Sequence, residues 1–432
     1  MKDLYLLQQA FNAYSGLAEL RDRRQRYKRF TYGDQWGDLV RDSKGNLVKE
    51  EDKIISTGRK PLTNNLIRQL VKTIVGHFRN GVDDSEFYGG EMATISERNQ
   101  LSELDARLLE EFLISGSAIQ RIVEERRWDG SGVWIDNVSL RHFFVNRFED
   151  PRGMDISLVG QLHDMSLPEI INRFSDGSEE GASRIRRLYS LSGLPQLFPV
   201  NVGLNQSASG VNFFQSDDID SCRVIEVWSF DSFRSGENGL HDFMWRCRFF
   251  APDGTVLSEF DSPYSHHSHP YMVKFYPLID GEVHSFVEDV IDQQKYINRL
   301  IVTIDHIMNC SAKGVLLFPV EQLPPGVGWD KVTENWAQAD GVIPITGRSP
   351  QMPQQVISNS GNTDAHRLLD VQLKLFREVS GVSDALAGQV TGARGAEMLE
   401  SQVRNATISL SDIFKTFGDF MSKRNDKALK SV

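Results

Sequence analysis

Residues 284–312 read HSFVEDVIDQQKYINRLIVTIDHIMNCSA, and this stretch decides the fold that the sequence predicts. It holds a narrow stripe of positions that recur three and four residues apart, which is typical of a helix that packs on other helices. Gly314 then favours a helix end. We therefore expect one long helix here, and its stripe consists of Val290, Gln294, Ile297, Ile301, Ile304 and Met308.

Two further helices are predicted after a block rich in proline and glycine at residues 313–362. The second helix begins at Asn362 or Thr363 and ends at Gly381. A loop of mostly small residues from Gly381 to Gly395 leads to the third helix. The predicted stripes are Leu368, Leu369, Gln372, Leu375, Phe376 and Val379 in the second helix, and Leu399, Val403, Ala406, Leu410, Ile413 and Phe417 in the third.

The first 285 residues predict a mixture of helices and strands. Residues 1–30 favour one helix that ends in a basic run, and an amphipathic helix follows Pro61, with a face that runs from Leu66 to Phe78. Period-two alternation predicts strands from Ser117 to about Asp164 and again from Cys222. Residues 175–220 favour a surface excursion with one short helix near 184–191. The fold class is therefore α+β.

The composition excludes several classes of protein. The chain has 432 residues and a net charge of -11, whereas a protein that holds nucleic acid tightly usually has a basic balance. Three cysteines without a CxxC pair predict neither a disulfide framework nor a thiolate zinc site. No signal peptide and no run of 18 apolar residues is found, so we expect neither secretion nor membrane spanning.

No catalytic motif is found, so we expect no enzyme and no cofactor. Walker A, HExxH, GxSxG and EF-hand patterns are absent. His266, His267 and His269 could bind a metal, but no carboxylate set accompanies them, and a polar lead-in to a strand is the favoured interpretation. Asp83, Asp84 and Glu86 could hold Mg²⁺ in a nuclease, but DDSEFYGG favours a solvated turn. The basic run Arg21–Arg29 favours a subunit contact or a solvated face over nucleic-acid binding.

Short motifs occur in a particular order along the chain: Gly33–Trp36 (GDQW), Lys60–Asn65 (KPLTNN), Val224–Trp228 (VIEVW), His269-Pro270, Asp292–Asn298 (DQQKYIN), Val379–Val382 (VSGV) and Thr391–Ala396 (TGARGA). Each string alone is weak. The last third adds a helix, the proline- and glycine-rich block, a second helix, a loop and a third helix. In the order and spacing of these strings and elements, the chain resembles the portal proteins of tailed bacteriophages over nearly its whole length.

The resemblance implies a division of the chain. An α+β wing would occupy residues 1–285, and a tunnel loop would occupy residues 380–395. Two stem helices, 286–312 and 363–379, would flank a clip at 313–362. Residues 396–432 would return to the wing as a helix. Since few residues follow Phe417, the crown of such proteins would be minimal or absent.

The resemblance also implies a function in the virion. Identical subunits, twelve by that resemblance, would form a ring at one capsid vertex, after synthesis in the host cytoplasm. The ring would contact the major capsid protein or a scaffold, dock the terminase, conduct double-stranded DNA with weak, non-specific contacts, and later hold head-completion or adaptor proteins. No catalytic residue and no metal ligand is implied. The DNA-channel candidates are Gln389, Thr391 and Arg394 in the tunnel loop and Lys295, Arg299, Lys374 and Arg377 on the stem helices.

Two alternative functions belong to other classes. A head–tail adaptor or another ring protein of the virion would share the assembly but is usually shorter and lacks the two stem helices. A metal-dependent nuclease would use the carboxylates at 83–86, and cutting of plasmid DNA with Mg²⁺ or Mn²⁺ would identify it.

Overall fold

A computed structural model of the chain shows a mixed α+β fold, which confirms the predicted fold class. The structure describes residues 2–42, 44–81, 90–127, 130–190, 212–216, 218, 220–235, 240–313, 315–319, 323, 325–337, 343, 345–346, 354–356, 360–382 and 396–431.

The helices, numbered in chain order within the described residues, are α1 Lys2–Gly16, α2 Ala18–Tyr32, α3 Glu50–Ser56, α4 Leu66–Gly81, α5 Glu91–Asn99, α6 Leu101–Ser115, α7 Leu167–Phe174, α8 Glu179–Ser190, α9 Glu288–Lys313, α10 Trp329–Ala337, α11 Ser360–Ser380 and α12 Ala396–Leu429.

The strands are β1 Leu39–Arg41, β2 Leu47–Lys49, β3 Ser117–Arg127, β4 Gly130–Asn137, β5 Phe143–Val145, β6 Leu158–Met165, β7 Cys222–Ser235, β8 Leu240–Phe250, β9 Val256–Asp261, β10 Tyr271–Phe275, β11 Pro277–Ile279, β12 Glu282–Val283, β13 Val315–Leu317 and β14 Gln354–Val356. They pair antiparallel in sheets of order β1-β2, β10-β3-β4, β11-β12, β13-β14 and β5-β6-β7-β8-β9.

The chain divides into two compact units. Unit 1 comprises Met1–Gly33, Ile67–Ile291 and Ser380–Val432, and unit 2 comprises Asp34–Leu66 and Asp292–Val379. The segment 34–66 therefore packs with residues 292–379, although it belongs to the first 285 residues, which the resemblance assigns to the wing.

Unit 1 is built around the five-stranded sheet, whose central strand β7 is apolar on both faces. Val224 and Trp228 point to one hydrophobic core, while Ile225 and Val227 point to another on the opposite face. Successive side chains of a strand point to opposite faces of the sheet. A strand with apolar residues on both faces must therefore be covered on both sides. Helix α1 contributes to the second core.

The predicted first helix is in fact two helices. Leu17 leaves the helical conformation between α1 and α2, and the carbonyl of Tyr14 accepts hydrogen bonds from the Leu17 amide at 3.2 Å and from the Arg21 guanidinium at 2.6 Å. Gly16 is a weak helix former at this point. The Arg21 side chain, at the fourth position of α2, thus caps the C-terminal end of α1.

Several short elements were not predicted. The polar stretch before Lys60 contains the β1–β2 hairpin and α3, and helix α5 lies directly before α6. The proline- and glycine-rich block contains α10. The predicted short helix near 184–191 is confirmed as part of α8.

The predicted stripes are only partly buried. In α9, Val290, Gln294, Ile297 and Ile304 are buried, but Met308 is exposed. In α11, Phe376 is buried whereas Leu368, Leu375 and Val379 are exposed. In α12, Leu410, Ile413 and Phe417 are buried, while the side chains of the three preceding stripe residues lie outside the description.

Two arginines of the basic run of α2 lie in the interior of unit 1. Arg21 and Arg24 are buried, and Arg24 binds both carboxylate oxygens of Glu111 at 2.5 and 2.8 Å. The interpretation of this run as a solvated face or a subunit contact is therefore wrong for these two residues, because both are buried, Arg24 against Glu111 of α6 and Arg21 against the end of α1.

Candidate functional site

Two amide side chains on helix α9 form the centre of a buried polar network in unit 2. Gln294 and Asn298 lie one helical turn apart, and both are buried. The Gln294 amide nitrogen donates to the Asn64 carbonyl at 2.7 Å, and its oxygen accepts the Leu66 amide at 3.0 Å. Buried backbone groups need hydrogen-bond partners. Helix α9 thus supplies these partners to the backbone at the start of α4.

Asn298 extends this network to the start of unit 2. Its oxygen accepts the backbone amide of Asn64 at 3.1 Å, and its nitrogen donates to Gln35 Oε1 at 2.6 Å. Gln35 is also buried and donates to Asn65 Oδ1 at 3.1 Å. We call Gln35, Asn64, Asn65, Gln294 and Asn298 the amide network.

The amide network joins three of the sequence motifs. Gln35 belongs to the GDQW string, Asn64 and Asn65 end the KPLTNN string, and Gln294 and Asn298 belong to the DQQKYIN string. Trp36 and Thr63 add a second link between the first two, through a hydrogen bond of 2.9 Å from the indole nitrogen. The motifs are therefore parts of one packing arrangement within unit 2.

Two of the channel candidates lie beside this network and are charge-compensated. Lys295 Nζ lies 2.9 Å from Asp38 Oδ2 and 3.7 Å from Glu50 Oε2. Arg299 binds Glu50 Oε1 through Nε at 2.7 Å and Nη2 at 2.6 Å. Glu50 is buried, whereas half of the Arg299 side chain remains exposed. The structure thus brings Lys295 and Arg299 together on one carboxylate, which sequence reasoning missed.

The remaining candidates are separate from this pair. Lys374 and Arg377 are exposed on α11, and Lys374 lies 3.8 Å from Glu378, one turn further along the helix. Gln389, Thr391 and Arg394 lie outside the described residues. A role of these seven residues in contacting DNA stays a prediction.

Helix α11 carries a row of exposed apolar side chains. Leu368, Val371, Leu375 and Val379 are 39–47% exposed and are spaced three, four and four residues apart. At 3.6 residues per turn this spacing places them on one side of the helix. Phe376 is buried on another side. The apolar row, as we name these four residues, is therefore a surface that unit 2 leaves uncovered.

The histidines of the proposed metal alternative have structural partners. The Nδ1 atoms of His266 and His269 accept the backbone amides of Ser268 and Tyr271 at 3.1 and 3.2 Å. Burial and the nearby Lys427 charge lower the pKa of His266 to about 4 and that of His269 well below its usual range. No metal-holding group of side chains is found in the described part of the chain, and residues 83–86 lie outside it.

These features define a protein with a mixed sheet-and-helix unit and a second unit built around two long helices, one of which has an uncovered apolar row. Residues 241–430 match the family model described as Phage P22-like portal protein. The matched region contains α9, α11 and α12. The resemblance to tailed-phage portal proteins is thereby confirmed over this region.

No curated protein matches the chain. Within the described residues, no helix is both long enough and apolar enough to cross a lipid bilayer.

Proposed function

We propose that this chain is the subunit of a phage portal, a ring of identical copies at one capsid vertex. Double-stranded DNA would pass through the ring during packaging and ejection. The terminase would dock on the ring first, and head-completion proteins would bind later. The family match over residues 241–430 supports this function, because it covers both long helices of unit 2 and the C-terminal helix.

The observation that carries ring assembly is the apolar row of α11. A closed ring requires two different, complementary faces on each subunit. Apolar residues spaced three and four apart on an exposed helix are suited to packing against a helix of another copy. Burying the four side chains would supply the hydrophobic contribution that an isolated subunit lacks.

The parts of the subunit follow from this assignment. Helices α9 and α11 correspond to the stem, residues 313–362 to the clip, residues 380–395 to the tunnel loop, and α12 to the wing helix at 396–432. The wing comprises the remaining part of residues 1–285. Residues 34–66 form part of unit 2 and brace α9 through the amide network.

The DNA contact would be weak. The net charge of -11 leaves few cations free for phosphates. Asp38 and Glu50 compensate Lys295 and Arg299, which suits a conduit through which DNA must slide. Repetition around a ring would still give Arg394, together with Gln389 and Thr391, a circle of contacts without sequence preference.

Ring assembly is tested by placing charges in the apolar row. The double variant Val371→Glu/Leu375→Glu should fold as the wild type does, since both side chains are exposed in the subunit, but should lose the ring. Asp370→Lys is the matched control, because residue 370 lies on the far side of α11 from the row. Mass photometry and negative-stain imaging give the readout. Intact rings in the double variant would show that ring assembly does not depend on the apolar row.

The tunnel loop is tested with Arg394→Glu. This variant should assemble into normal rings but reduce DNA packaging or retention in particles, because each subunit then adds a negative charge to the path. Arg394→Lys is the control that keeps the charge. Packaged DNA per particle is measured by nuclease protection, and full packaging by Arg394→Glu would exclude Arg394 from the DNA path.

A further inference from the structure

The four most exposed large aliphatic side chains of the described residues occur as two pairs. Leu39 and Leu47 are 64% and 65% exposed, and Met154 and Ile279 are 78% and 66% exposed. Scattered exposed apolar residues are ordinary, but residues that cluster on a projecting surface mark interaction sites. The two pairs differ in the charges that surround them.

The first pair lies on the hairpin of β1 and β2 in unit 2. Leu39 pairs with Lys49, and Arg41 pairs with Leu47. Since side chains alternate between the faces of a strand, these four residues share the outward face, and Val40 and Val48 point to the other, partly buried face. We call the outward face the basic tip.

The charges of the basic tip are not compensated within the described residues. Neither Arg41 nor Lys49 has an ion-pair partner there. Asp42 is the only acidic residue between positions 39 and 49, and its Oδ1 accepts the amides of Lys44 and Asn46, both at 2.8 Å. The tip therefore offers two leucines and two free cations.

The second pair lies on two adjoining surface loops of unit 1, the loop at residues 147–155 and the tight hairpin of β11 and β12 at residues 278–283. These loops contain five carboxylates and two arginines. A methyl group built on Gly281 would lie 3.7 Å from Glu149 Cγ and from the Phe148 carbonyl, so the two loops are in contact. We call this surface the acidic tip.

Three carboxylates of the acidic tip remain after its internal ion pairs are formed. Arg147 pairs with Glu149 at 3.2 Å and Arg152 with Asp150 at 3.0 Å. Asp155, Asp280 and Glu282 have no arginine or lysine partner among the described residues. The acidic tip therefore offers two aliphatic side chains and three carboxylates without an arginine or lysine partner, with Lys274 bound to the Pro151 carbonyl of the first loop at 3.1 Å.

We infer that the basic tip of one subunit docks on the acidic tip of a second copy of this chain. The inference rests on the proposed ring and identifies one of its contacts. In each tip, two exposed aliphatic side chains lie beside an excess of unpaired charges of one sign, and the two signs are opposite. A contact between like tips would place like charges together, so the contact is directional, as a closed ring requires.

The test uses two charge-reversed variants and their mixture. Arg41→Glu/Lys49→Glu makes both tips acidic, and Asp280→Lys/Glu282→Lys makes both tips basic. Each variant alone should form about tenfold fewer rings than the wild type at 0.15 M salt, where charges within about 8 Å still interact. An equimolar mixture should restore rings in which the variants alternate, because every contact then again joins opposite charges.

Controls separate this contact from general effects of charge. Arg59→Glu/Lys60→Glu changes the net charge by the same amount in exposed residues of unit 2 outside the hairpin and should assemble normally. Circular dichroism and thermal unfolding establish that each variant is folded. Mass photometry counts rings, and native mass spectrometry, with one variant isotopically labelled, reads their composition.

The possible outcomes distinguish the two proposals. Loss of rings in each variant and recovery in the mixture supports the contact. Normal rings formed by each charge-reversed variant alone, or no recovery in the mixture, overturns the proposed contact and leaves the portal assignment in place. Failure of the wild type itself to form rings under any condition would instead contradict the proposed function.

Discussion

Arg424 and Asp105 form a fully buried, two-pronged ion pair in unit 1, although 319 residues separate them in the sequence. The guanidinium nitrogens lie 3.0 and 2.8 Å from the two carboxylate oxygens. Gln120 accepts from Arg424 at 3.2 Å and donates to Asp105 at 3.2 Å. The pair ties α12 to α6 and to the three-stranded sheet.

Removing one member of this pair should destabilise the protein strongly. Asp105→Asn leaves a buried guanidinium without a counter-charge, and we expect the free energy of unfolding to fall by about 3–5 kcal/mol. The double variant Asp105→Leu/Arg424→Met removes both charges and should lose less. Urea unfolding followed by circular dichroism measures both, and equal losses in the two variants would show that the charge pairing contributes little.

The amide network should be sensitive to loss of Asn298. Asn298→Ala leaves Gln35 Oε1 and the Asn64 amide without these partners, at a cost of about 1–3 kcal/mol for buried groups. Hydrogen exchange at the Asn64 amide should accelerate accordingly. Thr303→Ala, at a half-buried position of the same helix outside the amide network, is the control. Unchanged protection of Asn64 would mean that its bond to Asn298 is dispensable.

Neutralising Glu50 should strengthen DNA binding. Glu50→Gln removes the negative charge that Arg299 binds and one of the two carboxylates near Lys295. The affinity for duplex DNA should therefore rise severalfold. The plot of log affinity against log salt should steepen by about 1–2, because each additional phosphate contact contributes roughly 0.9. Glu51→Gln, exposed on the same helix, is the control. If fluorescence anisotropy gives one salt slope for all three proteins, these cations do not reach DNA.

The C-terminal end of α12 should make stability depend on pH. Burial lowers the pKa of Lys427 to about 7, whereas an exposed lysine titrates with a pKa of about 10.4. Between these values the unfolded chain binds the proton and the folded chain does not, so stability should rise with pH from about 7 to 10, by at most about 1.4 kcal/mol per pH unit.

Replacing Lys427 isolates this effect from other titrating groups. Lys427→Met loses the hydrogen bond to the Tyr271 carbonyl, which measures 2.9 Å, but should flatten the dependence of the melting temperature on pH between 7 and 9. Lys430→Met, at an exposed position nearby, should retain the wild-type slope. Identical slopes in all three proteins would show that Lys427 keeps an ordinary pKa.

The sequence predicts long periodic elements well, because their pattern repeats over many residues. Helix α9 was expected at 284–312 and spans Glu288–Lys313, and the strands with period-two alternation are confirmed from Ser117 onward. Short elements such as α3 and α10 were missed because fewer than three turns give too few repeats to distinguish a helix from a loop.

The candidate site was harder to predict, since it depends on which side of each helix is covered. Leu375 and Phe376 both fit the predicted stripe of α11, yet only Phe376 is buried. Likewise, Lys295 and Arg299 look like free cations in the sequence, and only the packing of residues 34–66 reveals Asp38 and Glu50 beside them. The pair of amides one turn apart, Gln294 and Asn298, was the signal available for that packing.

The discontinuous make-up of the two units determines when each can be completed during synthesis. The chain changes unit after residues 33, 66, 291 and 379, so a growing chain cannot finish unit 1 before starting unit 2. Asp105 must wait for its ion-pair partner until Arg424, 319 positions further along the chain, emerges from the ribosome. A chain that ends before Arg424 therefore lacks the counter-charge of the buried Asp105 carboxylate, and we expect unit 1 of such a fragment to be less stable than in the full chain.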